Sequence, residues 1–285
     1  MSFIVAGAGL FGLVAGSYVR VLSGGFGPAT ELDEARSTGP ASAGEQMDGP
    51  VPAEERVDGT ARAEEEVVGG GSPVRARRDQ AEREGYEGVS REEAARWRRA
   101  YRAEARAAFG RALRSVPSLG RPPLIEVCTA AVCALVAWRL AGTPIVFAWL
   151  YAAVAGCALA VIDWRTERLP DAITLPSYPI IAVLLAPTGH LVAGLLGGLA
   201  LAGLYAVLWF VRPGALGLGD VKLAGLTGMV TGALGIDAWL IGAVGGQFLG
   251  ALYAVVLLAT RRGTLKSQFP LGPFILLGAL AAVLR

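Results

Sequence analysis

The sequence predicts an all-α polytopic membrane protein with about eight transmembrane helices and a long cytoplasmic insert between the first and the second. Hydrophobic residues make up 53% of the 285 residues and charged residues only 18%, below the roughly 25% of soluble domains. The charges are also unevenly placed: residues 31–121 carry 16 basic and 18 acidic side chains, whereas the other 194 residues carry ten and six. This distribution excludes a uniform globular protein.

Eight apolar runs predict the helices in order. Most approach the roughly 20 residues that a helix needs to cross a bilayer, although the fourth and the eighth are shorter. Pro176 and Pro179 predict a kink in the fourth. Glycines four residues apart in the first, fifth, sixth and seventh runs predict close helix packing in lipid. The runs are 3–22, 124–141, 145–162, 173–186, 191–211, 221–236, 239–260 and 271–284.

Basic residues next to the short loops predict the orientation, because lysine and arginine accumulate on the cytoplasmic side. The loops on the other side carry only Arg139. We therefore expect both termini outside and a multi-pass protein of the inner (plasma) membrane, with Arg20 at the cytoplasmic end of an uncleaved first helix. The residues that set this orientation are Arg165, Arg168, Arg212, Lys222, Arg261, Arg262 and Lys266.

The chain divides into three predicted regions: a first helix at 1–22, a cytoplasmic insert at 23–121 and a membrane domain at 122–285. Residues 23–75 are rich in Gly, Pro, Ala, Glu and Ser, which predicts disorder. Ser90 and Glu93 form a capping-box pattern that predicts an arginine-rich amphipathic helix from there towards the second span. We expect this helix to lie on an anionic membrane surface, and an ordinary solvated helix is the alternative.

Several function classes are disfavoured by composition. A net charge of +2 and the lack of a lysine-rich tract argue against nucleic-acid binding. The three cysteines form no Cys-x-x-Cys, so we predict no metal and no cofactor. A Gly-x-Gly-x-x-Gly pattern begins at Gly7, but no alternation of strands and helices follows it, so a dinucleotide site is not expected.

Two aspartates stand out among the six acids outside the insert. Asp163 ends the third span, and Asp220 precedes the sixth in Gly217-Leu218-Gly219-Asp220. Two crossings separate them, so they must lie at the same, cytoplasmic, face. Two carboxylates held close together repel, so that one keeps a proton while the other is ionised.

Such a pair can hydrolyse a peptide bond, with one carboxylate activating water and the other protonating the leaving group. Gly217 and Gly219 leave room for a substrate backbone, and Lys222 is placed to tune the ionised carboxylate. The alternative from the residues alone is structural: Asp163 pairs with Arg165, and Asp220 only caps its helix.

The motifs resemble those of the type IV prepilin peptidase family, intramembrane aspartyl leader peptidases with a Gly-x-Gly-Asp motif. The resemblance covers about 190 residues, all except the insert. It rests on five segments: residues 12–18 (Gly-Leu-Val-Ala-Gly-Ser-Tyr), 123–126 (Pro-Leu-Ile-Glu), 163–176, which begin Asp-Trp-Arg-Thr, 217–220 (Gly-Leu-Gly-Asp) and 269–274 (Phe-Pro-Leu-Gly-Pro-Phe).

The resemblance implies that Asp163 and Asp220 are the catalytic pair, and that the substrates are prepilins or pseudopilins cut at the cytoplasmic membrane face. Glu126 is then a candidate neighbour of the site, or simply a carboxylate at the membrane interface. Asp171 is a candidate substrate contact, or a partner of Arg168. Bifunctional members carry a Cys-x-x-Cys domain between the first two spans; the insert has no cysteine, so N-methylation is not expected.

Two other functions remain open at this stage. A proton-coupled transporter would use the same aspartates as relay groups, although relay acids usually lie near the membrane midplane. An inactive scaffold would keep the fold and present the insert to a partner. The identity of the substrate, the pathway it serves and the oligomeric state are not readable from the sequence.

Overall fold

A computed structural model of the chain describes residues 2–26, 91–115, 117, 123–211, 216–260 and 270–285. Within these ranges every regular element is a helix, which confirms the all-α prediction. Most of the predicted insert, including residues 27–75 of the segment predicted to be disordered, lies outside the described residues. The chain divides into two compact units, Met1–Asp33 with Ala103–Arg285, and Glu34–Arg102.

Nine α-helices and one short 3₁₀ turn are described. One of the nine, α2, is the arginine-rich helix predicted inside the insert. The helices are α1 (Ser2–Ser23), α2 (Arg91–Arg114), α3 (Leu124–Leu140), α4 (Val146–Thr166), α5 (Asp171–Leu185), α6 (Leu191–Val211), α7 (Leu218–Leu234), α8 (Ile236–Ala259) and α9 (Gly272–Val283), with the 3₁₀ turn at Ala186–Thr188.

The eight remaining helices each coincide with a predicted apolar run. Five segments are long and apolar enough to cross a membrane, namely α1, α4, α5 with the turn that follows it, α6 and α8. The other three are shorter: α3 and α7 have 17 residues each and α9 has 12. The chain is therefore a multi-pass membrane protein, and the count of eight spans stays a prediction.

Two helices are longer than hydropathy predicts, each at the end that carries an aspartate. α4 continues to Thr166, so that Asp163 lies inside its last turn, and α7 begins at Leu218, so that Asp220 lies in its first turn. Each extension includes charged residues or glycine, which interrupt an apolar run. The two aspartates are consequently held by helical backbone and not by loops.

Close approaches of glycine join the helices in pairs, as the four-residue spacing predicted. A Cβ on Gly197 of α6 would lie 2.6 Å from the carbonyl oxygen of Gly228 of α7, and the reverse distance is the same. A Cβ on Gly16 of α1 would lie 2.6 Å from the Cα of Glu126 of α3. Backbones this close leave no room for a methyl group, so α1 packs on α3 and α6 packs on α7.

Candidate active site

Asp163 is a buried carboxylate at the end of α4. Asp163 is only 4% exposed. The helix ends just beyond it because Glu167 adopts a left-handed conformation (φ 50°), and the Glu167 N–H donates to the Asp163 carbonyl at 2.8 Å. The backbone N–H of Gly272 donates to Asp163 Oδ2 at 2.9 Å, so the carboxylate is fixed by the start of α9.

Asp220 is the third residue of α7 and is half-buried. The backbone N–H of Gly217 donates to its Oδ2 at 3.1 Å, and a negative charge in the first turn is favoured by the helix dipole. Asp220 therefore does cap its helix, as the structural alternative supposed. Its Oδ1 accepts no hydrogen bond from any described residue, so capping leaves one oxygen available for chemistry.

The structure brings Asp163 and Asp220 together, and their carboxyl groups are close enough to interact electrostatically. The segments that carry them also touch: a Cβ on Gly219 would lie 2.9 Å from the Cβ of Leu169. Within the described ranges Asp163 forms no ion pair with Arg165, so that part of the structural alternative is wrong. The arrangement places two carboxylates of different burial side by side at one end of the bundle.

Lys222, two residues after Asp220, forms an ion pair with Asp171. The distance from Lys222 Nζ to Asp171 Oδ1 is 2.6 Å, and both side chains are partly exposed. The hydroxyl of Tyr178 donates to the Lys222 carbonyl at 2.7 Å. The pair therefore joins the beginnings of α5 and α7, and the Lys222 ammonium is engaged by Asp171.

Glu126, the candidate neighbour of the site, pairs with an arginine of the first helix. It is fully buried in the first turn of α3, and Arg20 Nε of α1 donates to its Oε1 at 2.7 Å. Among the described residues it makes no hydrogen bond to Asp163 or Asp220. The structure gives Glu126 an ion-pairing role between α1 and α3.

Three residues near the pair were not predicted as part of the site. Gly272 supplies the hydrogen bond to Asp163, and Leu169 packs on Gly219. Tyr205 of α6 is 1% exposed and interacts electrostatically with Asp220. Gly272 lies in the 269–274 motif, so a signal for it existed, whereas nothing in the sequence distinguishes Tyr205 from other tyrosines in apolar runs.

Metal ligation finds no support in this part of the molecule. No group of three or more His, Cys, Asp or Glu side chains is close enough to hold an ion among the residues that the structure describes. Asp163 interacts electrostatically with the carboxylates of Asp220 and Glu167, and the chemistry of carboxyl groups without a metal is proton transfer.

The fold and these side chains define a multi-pass helical membrane protein with paired carboxylates at one end of the bundle. Residues 145–282, which contain both aspartates, match the sequence model of the type IV leader peptidase family. This part of the chain is therefore similar to a family of leader peptidases.

Curated relatives support the same assignment. The chain is 30% identical over 173 residues to the prepilin leader peptidase/N-methyltransferase of Pseudomonas putida, covering 58% of each chain. It is 31% identical over 128 residues to the protein of that name in Bacillus subtilis strain 168 (44% of this chain, 50% of the relative). It is 32% identical over 181 residues to the protein of that name in Burkholderia pseudomallei strain 1026b (59% of this chain, 55% of the relative).

The matched part spans between 50 and 58% of the length of these three relatives. No solved structure matches the chain.

Proposed function

We propose that this protein is a membrane aspartic endopeptidase that removes the leader peptide from type IV prepilin-like or pseudopilin precursors. The observation that carries the proposal is the proximity of Asp163 and Asp220, 57 positions apart in the sequence, inside the matched family region. The relatives are named as prepilin leader peptidases, which supplies the substrate class.

The proposed chemistry divides the work between the two carboxyl groups. The ionised one takes a proton from a water molecule, whose oxygen attacks the carbonyl carbon of the scissile peptide bond. The protonated one donates its proton to the carbonyl oxygen as the tetrahedral intermediate forms. When the C–N bond breaks, the carboxyl group that took the proton from water gives it to the leaving amine, and the other carboxylate takes a proton back from a hydroxyl of the intermediate. No metal or other cofactor takes part in this scheme.

The proposed location is the cytoplasmic face of the inner membrane. Supporting it are the basic residues that flank the short loops at the aspartate end, among them Arg165 and Arg168. Cleavage there would separate a polar leader on the cytoplasmic side from an apolar segment that stays in the bilayer.

Co-expression with a candidate prepilin tests the proposal. The native chain should cut the precursor, and Asp163→Asn and Asp220→Asn should each lower the rate by about a thousandfold, the scale of lost general acid–base catalysis. Asp237→Asn is the matched control, because Asp237 also lies in a first helical turn but is exposed and pairs with Arg285 at 2.9 Å. Comparable membrane levels of all four proteins are required. Continued cutting by either site variant contradicts the mechanism.

We further propose that the chain does not methylate the new N-terminus. The support is the insert, in which no Cys-x-x-Cys stands between the first helix and the second apolar run. Mass spectrometry of the processed product decides the point: a methyl group whose addition requires this chain overturns the single-activity proposal and leaves the peptidase proposal intact.

A further inference from the structure

An apolar cavity of about 280 Å³ lies between helices of the bundle, and neither aspartate lines it. Five helices, α3, α4, α5, α7 and α9, contribute to its wall. Nearly all of the wall is hydrocarbon. Its lining includes Val136, Ala152, Gly156, Leu226, Leu276 and Leu280.

One polar group in this wall has no partner. Trp149 lines the cavity and is 4% exposed, and its indole N–H is buried without a hydrogen bond to any described residue. By contrast, the hydroxyls of Ser177 and Thr227, which also line the cavity, donate to backbone carbonyls of their own helices. A buried donor left unpaired is unfavourable, so an occupant that brings an acceptor to Trp149 is favoured.

The cavity reaches the outer surface of the bundle at Leu277. That side chain lines the cavity and is also 48% exposed. In a multi-pass membrane protein the outer surface of an apolar helix faces lipid hydrocarbon. The space beside Leu277 is therefore open to the bilayer and not to water.

The length of the cavity matches an extended chain. Its wall follows α4 from Trp149 in the first turn to Ala160 near the end, which is about 16 Å at 1.5 Å per residue. A helix with its side chains is about 10–12 Å wide, too wide for 280 Å³ over this length. A single hydrocarbon chain fits.

We propose that the cavity binds one acyl chain of a membrane phospholipid, whose ester carbonyl accepts the hydrogen bond of Trp149. The acyl chain enters sideways from the bilayer beside Leu277, with its ester end at Trp149 and its tail extending along α4 towards Leu223 and Pro273. Pro273 lines the cavity and follows Gly272, the donor to Asp163, so the bound acyl chain packs against the start of α9. This binding is independent of whether the chain cleaves prepilins.

Native mass spectrometry of the full chain tests this proposal. The protein is purified in mild detergent after reconstitution with palmitoyl-oleoyl phosphatidylglycerol, and we expect one retained lipid per chain. Ala152→Phe fills the cavity and should abolish lipid retention. Ala160→Leu fills less of the cavity, at its other end, and should lower lipid retention; it is the variant to use if Ala152→Phe folds poorly. Trp149→Phe keeps the ring and removes the donor, so retention should fall about three- to tenfold. Val192→Phe, at a residue of α6 that is 67% exposed, is the control.

Three results overturn the proposal: no retained lipid on the native chain, equal retention by the native and cavity-filling proteins, or binding of an apolar substrate segment in place of lipid. The last is distinguished by a photoreactive group at position 153, which lines the cavity. Crosslinks to an added prepilin peptide without crosslinks to lipid would assign the cavity to the substrate.

Discussion

The backbone N–H of Gly272 donates to Oδ2 of Asp163 at 2.9 Å across 109 residues of sequence. This contact is possible only because residue 272 lacks a side chain: a Cβ there would lie 2.6 Å from the same oxygen and 3.3 Å from Leu223 Cδ2. The beginning of α9 therefore acts as a backbone clamp on a carboxylate at the end of α4. A clamp of this kind fixes a carboxylate more rigidly than a flexible side chain would.

Gly272→Ala should lower prepilin cleavage by about a hundredfold, because the added methyl group displaces the Asp163 carboxylate by a distance comparable to 1 Å. Cleavage rate at equal protein level in membranes is the measurement. Gly203→Ala is the control, since a Cβ at Gly203 meets nothing within 4 Å and should leave the rate unchanged. A fully active Gly272→Ala protein would show that Asp163 does not need this clamp.

Gly219 and Leu169 form the contact that sets the two aspartate segments against each other. A Cβ on Gly219 would lie 2.9 Å from Leu169 Cβ and 3.2 Å from its Cδ1. Gly219→Ala should therefore reduce cleavage at least tenfold by pushing the segments apart. Leu169→Gly in the same chain removes the Cβ that the new methyl group would meet, so it should restore part of the loss. If the double variant is no better than Gly219→Ala alone, Gly219 acts in another way, such as by admitting the substrate backbone.

The sequence predicts the helices well because the bilayer fixes their length and composition. The run at 191–211 coincides with α6, and the parity of crossings predicted that Asp163 and Asp220 share a face. Hydropathy does not predict the ends of α4 and α7, which extend past the apolar runs over segments that contain charged residues or glycine. Those ends carry both aspartates, so the error falls at the site itself.

Ion pairs between different helices could not be predicted from the apolar pattern of the sequence. Lys222 was predicted to tune an aspartate of the pair, and Asp171 to contact substrate or pair with Arg168; the structure pairs Lys222 with Asp171. Arg20 was noted only as a charge at the end of a helix, yet it pairs with Glu126. Such contacts depend on how helices rotate about their axes, which a pattern of apolar residues specifies only coarsely.

The Lys222–Asp171 pair should contribute little to cleavage directly. Both side chains are partly exposed, and exposed ion pairs contribute about 1 kcal/mol or less. The double variant Lys222→Gln/Asp171→Asn keeps the local net charge, so its cleavage rate should stay within about fivefold of the native rate and its pH profile should not move. If Lys222 instead stabilises an ionised catalytic carboxylate, losing the cation makes that group harder to ionise, and the acidic limb of the profile shifts to higher pH.

The Arg20–Glu126 pair should matter for stability. Glu126 is fully buried whereas Arg20 keeps 32% of its side-chain exposure. Arg20→Met should destabilise the protein by about 3 kcal/mol, the lower end for breaking a buried pair, because it removes the cation facing a buried carboxylate. The double variant Arg20→Met/Glu126→Leu should recover much of this loss, because two apolar side chains leave no buried charge without an opposite charge beside it. Thermal unfolding in detergent measures both, and a double variant less stable than Arg20→Met would mean that Glu126 stabilises the helices through contacts other than Arg20.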